Sequence, residues 1–379
     1  MIRDLSDAEA RAALVCKWGL VEPDVLPAWV AEMDYALAPP ITEALQRAVA
    51  AGRTGYPSFA EGGPLGEAYA GFAARQFGHD VDPARVVATV DVTAGVRLAL
   101  DVLAPPGPLV MPVPAYSPQL AIAEICGRER RDLVVDPDAE QAGIDLGALD
   151  RAFADGARVL VLTQPHNPWG RVFSREELEG IRDVVRRHDA FVVSDEIHAP
   201  LTLGDAVHVP YLAVPGTAGH AVAVVAASKA FNIAGLKCAQ MVTADERLHA
   251  ALLAAPMARN DSWSVLGVEA SIAAYREGDA WLAALRATLT ARRDQFVAAL
   301  GQALPQARMR PLEATYLAWV DLRAYGHPDP AARALDIARL KVSAGHDYHP
   351  GLAGHVRVNL ATSEARVEEI VRRLAAAVS

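Results

Sequence analysis

Apolar and polar positions along the chain fall into two alternating patterns. Leu109 to Val113, Arg158 to Thr163, Ala190 to Ser194 and Ala221 to Ala227 are nearly unbroken apolar runs. Runs of this kind predict strands covered on both faces. Leu133 to Val135 predicts a further short strand. Between them, Thr93 to Ala104 and Ser174 to His188 show helical spacing, and Ser174 with Glu177 three residues on forms a capping box. Apolar strands separated by helices predict an α/β fold with a mainly parallel sheet between helical layers. After Ser264 the pattern changes. Helices are predicted at Ser264–Arg276 and Ala280–Leu300, then an extended Tyr316–Leu322, a helix near Pro330–Leu340, a strand at His355–Leu360 and a terminal helix from about Ser363. This second part predicts a smaller α+β domain.

Composition narrows the function classes. The chain has 379 residues, 52% apolar and 22% charged, the balance of a globular protein with a large core. A net charge of −10 leaves no basic footprint for nucleic acid or an anionic membrane. Val102 to Ala123 and Ala206 to Ser228 carry no Asp, Glu, Lys or Arg, but prolines and glycines interrupt both, so neither predicts a continuous membrane helix. The first residues lack the apolar core of a signal peptide, and a cytoplasmic location is expected. Cys16, Cys126 and Cys238 include no CxxC and predict no disulfide framework. Of 36 basic residues only Lys17, Lys229, Lys237 and Lys341 are lysines. Few positions are therefore open to lysine chemistry.

In open parallel sheets, ligands bind beyond the carboxyl ends of the strands. Three predicted strands run directly into polar residues there: Gln164-Pro-His-Asn-Pro-Trp-Gly170, Asp195-Glu-Ile-His198 and Ser228-Lys-Ala-Phe-Asn-Ile-Ala-Gly235. One sheet edge thus receives an amide, a carboxylate, an imidazole, a hydroxyl and an amine. A buried lysine has a lowered pKa and suits Schiff-base chemistry. A buried aspartate on the neighbouring strand suits a protonated pyridine nitrogen. Asp195, Glu196 and His198 do not predict a metal site, because no HExxH or complementary ligand pair follows.

Taken in order, Asn167-Pro-Trp-Gly170, Ser194-Asp-Glu-Ile-His198 and Ser228-Lys-Ala-Phe-Asn-Ile-Ala-Gly-Leu236 resemble the fold-type I pyridoxal-phosphate enzymes of the aspartate aminotransferase superfamily. Leu26 to Asp34, Gly55-Tyr-Pro57, Pro165 to Arg171, Thr315 to Trp319 and Arg357-Val-Asn359 carry the resemblance across nearly the whole chain. The N-terminal segment, Pro-His-Asn-Pro, Asp-Glu-Ile-His and the Lys229 segment are most similar to the MalY/PatB-type carbon–sulfur β-lyases. The resemblance implies a large cofactor-binding domain at 40–280 and a small domain made of 1–39 plus 281–379, with pyridoxal 5'-phosphate between them.

It also implies roles. Lys229 is the Schiff-base lysine and shuttles the Cα proton. Asp195 pairs with the pyridine nitrogen, Asn167 and His198 lie near the 3-oxygen, and Tyr116 stacks on the ring. Ser228, Lys237 and the backbone N–H groups of Gly95 and Val96 hold the phosphate. Arg357 holds the substrate α-carboxylate, with Asn167 and a backbone contact from Ala31. Tyr56 reaches into a second subunit's site, which makes the active unit a homodimer. Lys17, Lys341 and Tyr316 are read as structural. The implied reaction cleaves cystathionine or another cysteine S-conjugate to a thiol, pyruvate and ammonia. An aminotransferase, a lyase or deaminase acting on a bulky cysteine conjugate, and a regulator that kept the fold are the competing readings.

Overall fold

The computed structural model describes residues 2–58, 62–136, 138–140 and 142–379. A seven-stranded sheet organises the first two thirds of the chain. Read across, its strands are Val86–Thr89, Ala239–Val242, Ala221–Val225, Phe191–Asp195, Val159–Thr163, Leu109–Val113 and Arg130–Val134. Ala239–Val242 runs antiparallel to both neighbours, and the remaining pairs are parallel.

The apolar runs form these strands because successive side chains point to opposite faces and both faces are covered. Val159 and Val161 pack with Phe191, Val193 and the helix Val92–Val102 on one side. Leu160 and Leu162 pack with Val192 and the helices Leu146–Ala154 and Arg175–Arg187 on the other. The Ser174 capping box is present: Glu177 N donates to Ser174 Oγ at 3.2 Å, and Ser174 N donates to Glu177 Oε2 at 2.7 Å.

A three-stranded antiparallel sheet, Ser343–Ala344, His355–Asn359 and Leu317–Asp321, forms the second unit. The 25-residue helix Asp279–Ala303 and the terminal helix Glu364–Val378 cover it. One apolar cluster runs from Phe231 and Tyr275 through Leu282, Leu285 and Phe296 to Leu374, so the long helix joins the two units through a shared core. Leu26–Pro27 pairs in parallel with Leu340–Lys341, which ties the N-terminal segment to the second unit. Among the described residues no helix is long and apolar enough to cross a membrane.

The structure adds elements beyond the predicted ones, including helices Asp7–Ala13, Pro39–Ala50 and Gly63–Phe77 and strands Val86–Thr89 and Ala239–Val242. Ala239–Val242 escapes the apolar pattern because it carries Gln240. That side chain is fully buried, and its Oε1 accepts the Tyr275 hydroxyl at 2.7 Å.

Candidate active site

The strand order brings the three predicted strand ends together. Asp195 is the last residue of its strand and is buried. Its Oδ1 accepts Ile197 N at 3.1 Å, and its Oδ2 accepts Gln119 Nε2. Gln119 Oε1 in turn accepts Thr163 Oγ1 at 3.0 Å, which fixes the orientation of the amide. Burial is the main influence on Asp195 and pushes its pKa up to about 6, against the lowering by Ile197 N, Gln119 and the Lys229 charge. A buried carboxylate with so few donors is suited to a cationic N–H.

Lys229 lies in the short helix Ser228–Phe231, and its Nζ donates to the Ala31 carbonyl at 3.0 Å. Burial first, and then the nearby Arg357 charge, bring its pKa down to about 8. A substantial share of this amine is therefore neutral near physiological pH, as a nucleophile or base requires. His198 is buried, and among the described residues its Nδ1 has no partner. Burial, then the charges of Lys229 and Arg357, hold it neutral with a pKa near 3.

Arg357 spans the gap between the units. Its Nη1 donates to Asn167 Oδ1 at 3.2 Å and its Nη2 to the Trp29 carbonyl at 2.8 Å, while its Cζ lies 5.0 Å from the Tyr348 ring centroid. Among the described residues its buried Nε has no partner. Tyr116, at the start of the helix Ser117–Leu120, is partly exposed, and its phenol feels both Arg357 and Asp195.

One segment closes the site. From Trp29 to Met33 every backbone carbonyl accepts a side-chain donor. Trp29 O takes Arg357 and Ser343 Oγ, the latter at 3.1 Å. Val30 O and Glu32 O share Asn359 Nδ2 at 2.6 and 2.7 Å. Ala31 O takes Lys229 and the Tyr316 hydroxyl, each at 3.0 Å. Met33 is bracketed by Asn232, which accepts its N–H and donates to its carbonyl, both at 2.9 Å. Tyr316 thus belongs to the site rather than to the core alone. Gln119, Asn232, Asn359 and Tyr316 escape sequence reasoning because amides and phenols are common and their partners are distant in the chain.

The structure places Gly95 and Val96 inside a helix rather than at its open end. The helix Val92–Val102 is capped by Asp91, whose side chain accepts Ala94 N at 2.8 Å. Gly95 N donates within the helix to Asp91 O at 2.9 Å, and Val96 lies further in and is fully buried. The amides without an intrahelical acceptor at this end are those of Val92 and Thr93. Gly95 serves close packing, since a Cβ there would lie 2.6 Å from Val224 Cγ1 and 3.2 Å from Thr89 Cγ2. Ser228 begins the Lys229 helix. Lys237 Nζ pairs with Asp91 Oδ2 at 2.9 Å, so its charge faces a carboxylate beside the helix N-terminus. Tyr56 is 92% exposed and reaches none of these groups within its own chain.

This fold, with a buried carboxylate and a recessed lysine at adjacent strand ends, is that of the fold-type I pyridoxal-phosphate transferases. The chain belongs to the aminotransferase class I and II family, whose model matches residues 29–374. It is 34% identical to the cystathionine β-lyase of Corynebacterium glutamicum, covering 98% of each chain. It is 33% identical to the cystathionine β-lyase PatB of Bacillus subtilis, covering 94% of this chain and 93% of that one. A solved structure from Corynebacterium diphtheriae, proposed to be a PLP-dependent β-cystathionase, superposes with a TM-score of 0.95 at 33% identity over 100% of this chain and 99% of that one.

The residues present fit pyridoxal phosphate. Among the described residues the buried Nδ1 of His198 has no partner, and Asn167, whose Oδ1 accepts Arg357, has an amide N–H to offer as a donor. The amine of Lys229, the Asp195 carboxylate and the first-turn amides of Val92 and Thr93 match an aldehyde, a ring nitrogen and a phosphate in turn.

Two predictions follow from this geometry. Gly95→Ala should cost about 1–3 kcal/mol of stability, because the neighbouring methyls sit in a packed core. The loss should appear equally in melts of cofactor-free and cofactor-loaded protein, whereas a phosphate-binding role would enlarge it in the loaded form. In cofactor-free protein, modification of Lys229 by trinitrobenzenesulfonate should rise as the pH passes about 8 and then level off, because only the neutral amine reacts. A rate still climbing beyond pH 10 would mean an unperturbed lysine.

Proposed function

We propose that this chain is a carbon–sulfur β-lyase that cleaves cystathionine or a similar cysteine S-conjugate to a thiol, pyruvate and ammonia. The observation that carries the proposal is the convergence of Lys229, Asp195 and Arg357 on one edge, with a neutral fraction of the Lys229 amine at working pH. The likeness to cystathionine β-lyases over almost the whole chain supports it.

Pyridoxal phosphate, when bound, supplies an electron sink for the pair left at the substrate Cα. The chain's residues do the rest. Arg357 holds the α-carboxylate through its unpartnered Nε and a neighbouring N–H. Asn167 steadies Arg357 through Oδ1, and the Ala31 backbone adds a contact to the same carboxylate in this reading. Asp195 keeps a proton on the ring nitrogen. Asn167 Nδ2 and His198 serve the 3-oxygen, and Tyr116 lies against the ring. Ser228, Lys237 and the amides of Val92 and Thr93 serve the phosphate. Lys229 Nζ removes the Cα proton as general base. The Cβ–S bond breaks with its electron pair on sulfur, and the Lys229 ammonium returns a proton to the departing thiolate. Water converts the remaining three-carbon enamine to pyruvate and ammonia, so conjugate plus water balances thiol, pyruvate and ammonia.

We read residues 40–280 as the cofactor-holding domain and residues 1–39 plus 281–379 as its partner domain. The active unit is a homodimer in which the exposed Tyr56 completes the neighbouring site.

Cofactor-loaded protein given L-cystathionine and S-alkyl cysteines, without a keto acid, should release thiol, pyruvate and ammonia in equal amounts over many turnovers. Lys229→Ala should abolish this. Amino transfer to an added keto acid with no pyruvate would replace the lyase by an aminotransferase. Arg357→Ala should lower kcat/KM by the equivalent of about 2–5 kcal/mol, mainly through KM, as expected for loss of one partner of a buried charge pair. Mixing inactive Lys229→Ala and Tyr56→Ala proteins should restore part of the activity if Tyr56 serves its neighbour. No recovery would place Tyr56 outside the site.

A further inference from the structure

Two buried carboxylates follow one another at the end of the strand Phe191–Asp195. Successive side chains on a strand face opposite sides. Asp195 meets Gln119 on one side, and Glu196 meets a separate set of groups on the other. Glu196 Oε1 accepts Ser194 Oγ at 2.9 Å, Tyr211 N at 2.9 Å and Gln164 Nε2 at 3.1 Å. Its Oε2 lies 3.2 Å from His208 Nε2. Gln164 is held twice, because its own N–H donates to Asp195 O at 2.8 Å. Glu196 thus clamps the segment that leads to Asn167 onto the strand end that carries Asp195.

The two carboxylates differ in how fully their charge is satisfied. Among the described residues Asp195 accepts from Ile197 N and Gln119, whereas Glu196 has three donors and an imidazole. Burial works against the Glu196 anion, but His208, Tyr211 N and Ser194 outweigh it and hold its carboxyl below the usual range. Asp195 moves the other way, since burial raises it most and the Glu196 charge adds to the rise. Neighbouring carboxylates in such unlike settings take unlike roles, one a fixed anion and the other a partner for a proton. The Tyr69 phenol and the His79 imidazole also feel Glu196. Burial raises the first and lowers the second, so both stay uncharged and neither neutralises it.

We propose that Glu196 is a positioning residue for the cofactor's ring nitrogen, a fixed anion behind Asp195 that clamps the Asp195 strand end to the Asn167 segment and, acting through Asp195, strengthens the hold on the nitrogen's proton. A second negative charge in a dry site makes a lone Asp195 anion costly, and a cationic ring N–H relieves both. The inference rests on the assignment of Asp195 to the ring nitrogen, and it applies to a lyase and an aminotransferase alike.

The test titrates cofactor-free protein with pyridoxal phosphate and with its deaza analogue, in which carbon replaces the ring nitrogen, and follows cofactor absorbance. Wild-type protein should bind pyridoxal phosphate more tightly. Glu196→Gln keeps the side chain's shape and removes its charge. It should narrow that preference about tenfold, the equivalent of about one pKa unit at the nitrogen. In the loaded enzyme it should lower kcat and leave KM little changed. Glu196→Asp keeps the charge but shortens the reach, and should retain more of the preference than Glu196→Gln. His208 lines a surface groove with Thr202, Asp205 and Arg286, so a longer side chain has room there. His208→Lys sets a permanent cation against Oε2 and should narrow the preference as Glu196→Gln does, which keeps the test open if Glu196→Gln fails to fold. Equal weakening of both cofactors in Glu196→Gln, a greater loss of preference in Glu196→Asp, or an unchanged preference in His208→Lys would overturn the inference. Asp195→Asn separates the two assignments. A preference that survives Asp195→Asn overturns the placing of Asp195 at the ring nitrogen. One that Asp195→Asn abolishes and Glu196→Gln leaves intact overturns the role of Glu196 alone.

Discussion

The arrangement of this molecule depends on how the backbone from Trp29 to Met33 is held. Five consecutive carbonyls lie in a crevice where unpaired polar groups are costly. Each is satisfied by a side chain from elsewhere: Arg357, Ser343 and Asn359 from the small sheet and its approach, Tyr316 from the segment before it, and Lys229 and Asn232 from the large sheet's edge. The same bonds that seat the segment also aim Lys229 and Arg357. Satisfying the backbone and assembling the site are one problem with one solution.

The electrostatics follow from that closure. With water largely excluded, Asp195 holds its proton more tightly and Lys229 holds its own less tightly, each because burial disfavours the charged form. The two shifts run in opposite directions on adjacent strand ends. A ring cation would find a carboxylate there, and an α-proton would find a base. Arg357 adds to the lowering at Lys229 while remaining tied to Asn167 and Trp29, so one guanidinium both orients the segment and tunes the amine.

Much of the large sheet is legible in the sequence because strands buried on both faces must be apolar throughout. Leu109–Val113, Val159–Thr163 and Ala221–Val225 need no tertiary context to be read. Ala239–Val242 does, since Gln240 is affordable only where Tyr275 supplies its partner. Lys229, Asp195 and Asn167 stand out in the sequence because each lies at, or within a few residues of, the end of an apolar run. Gln119 is not: its partner Asp195 is 76 residues away, and a lone glutamine carries no local signal. Gly95 invited a phosphate-binding reading from its place near a helix start. Helical register turns it onto Val224 and ties its amide to Asp91 O, a packing role that only the tertiary structure shows.

The central claim is that the seating of Trp29–Met33 positions Lys229 and Arg357. A double-mutant cycle on Asn232→Ala and Asn359→Ala tests it most directly, with kcat/KM for pyruvate release as the readout and thermal melts as the control. The account predicts that each single change lowers kcat/KM and that the double variant falls little further than the worse single, because either change frees the same segment. Singles that leave kcat/KM unchanged, or losses that add and merely track the melting temperature, would contradict it.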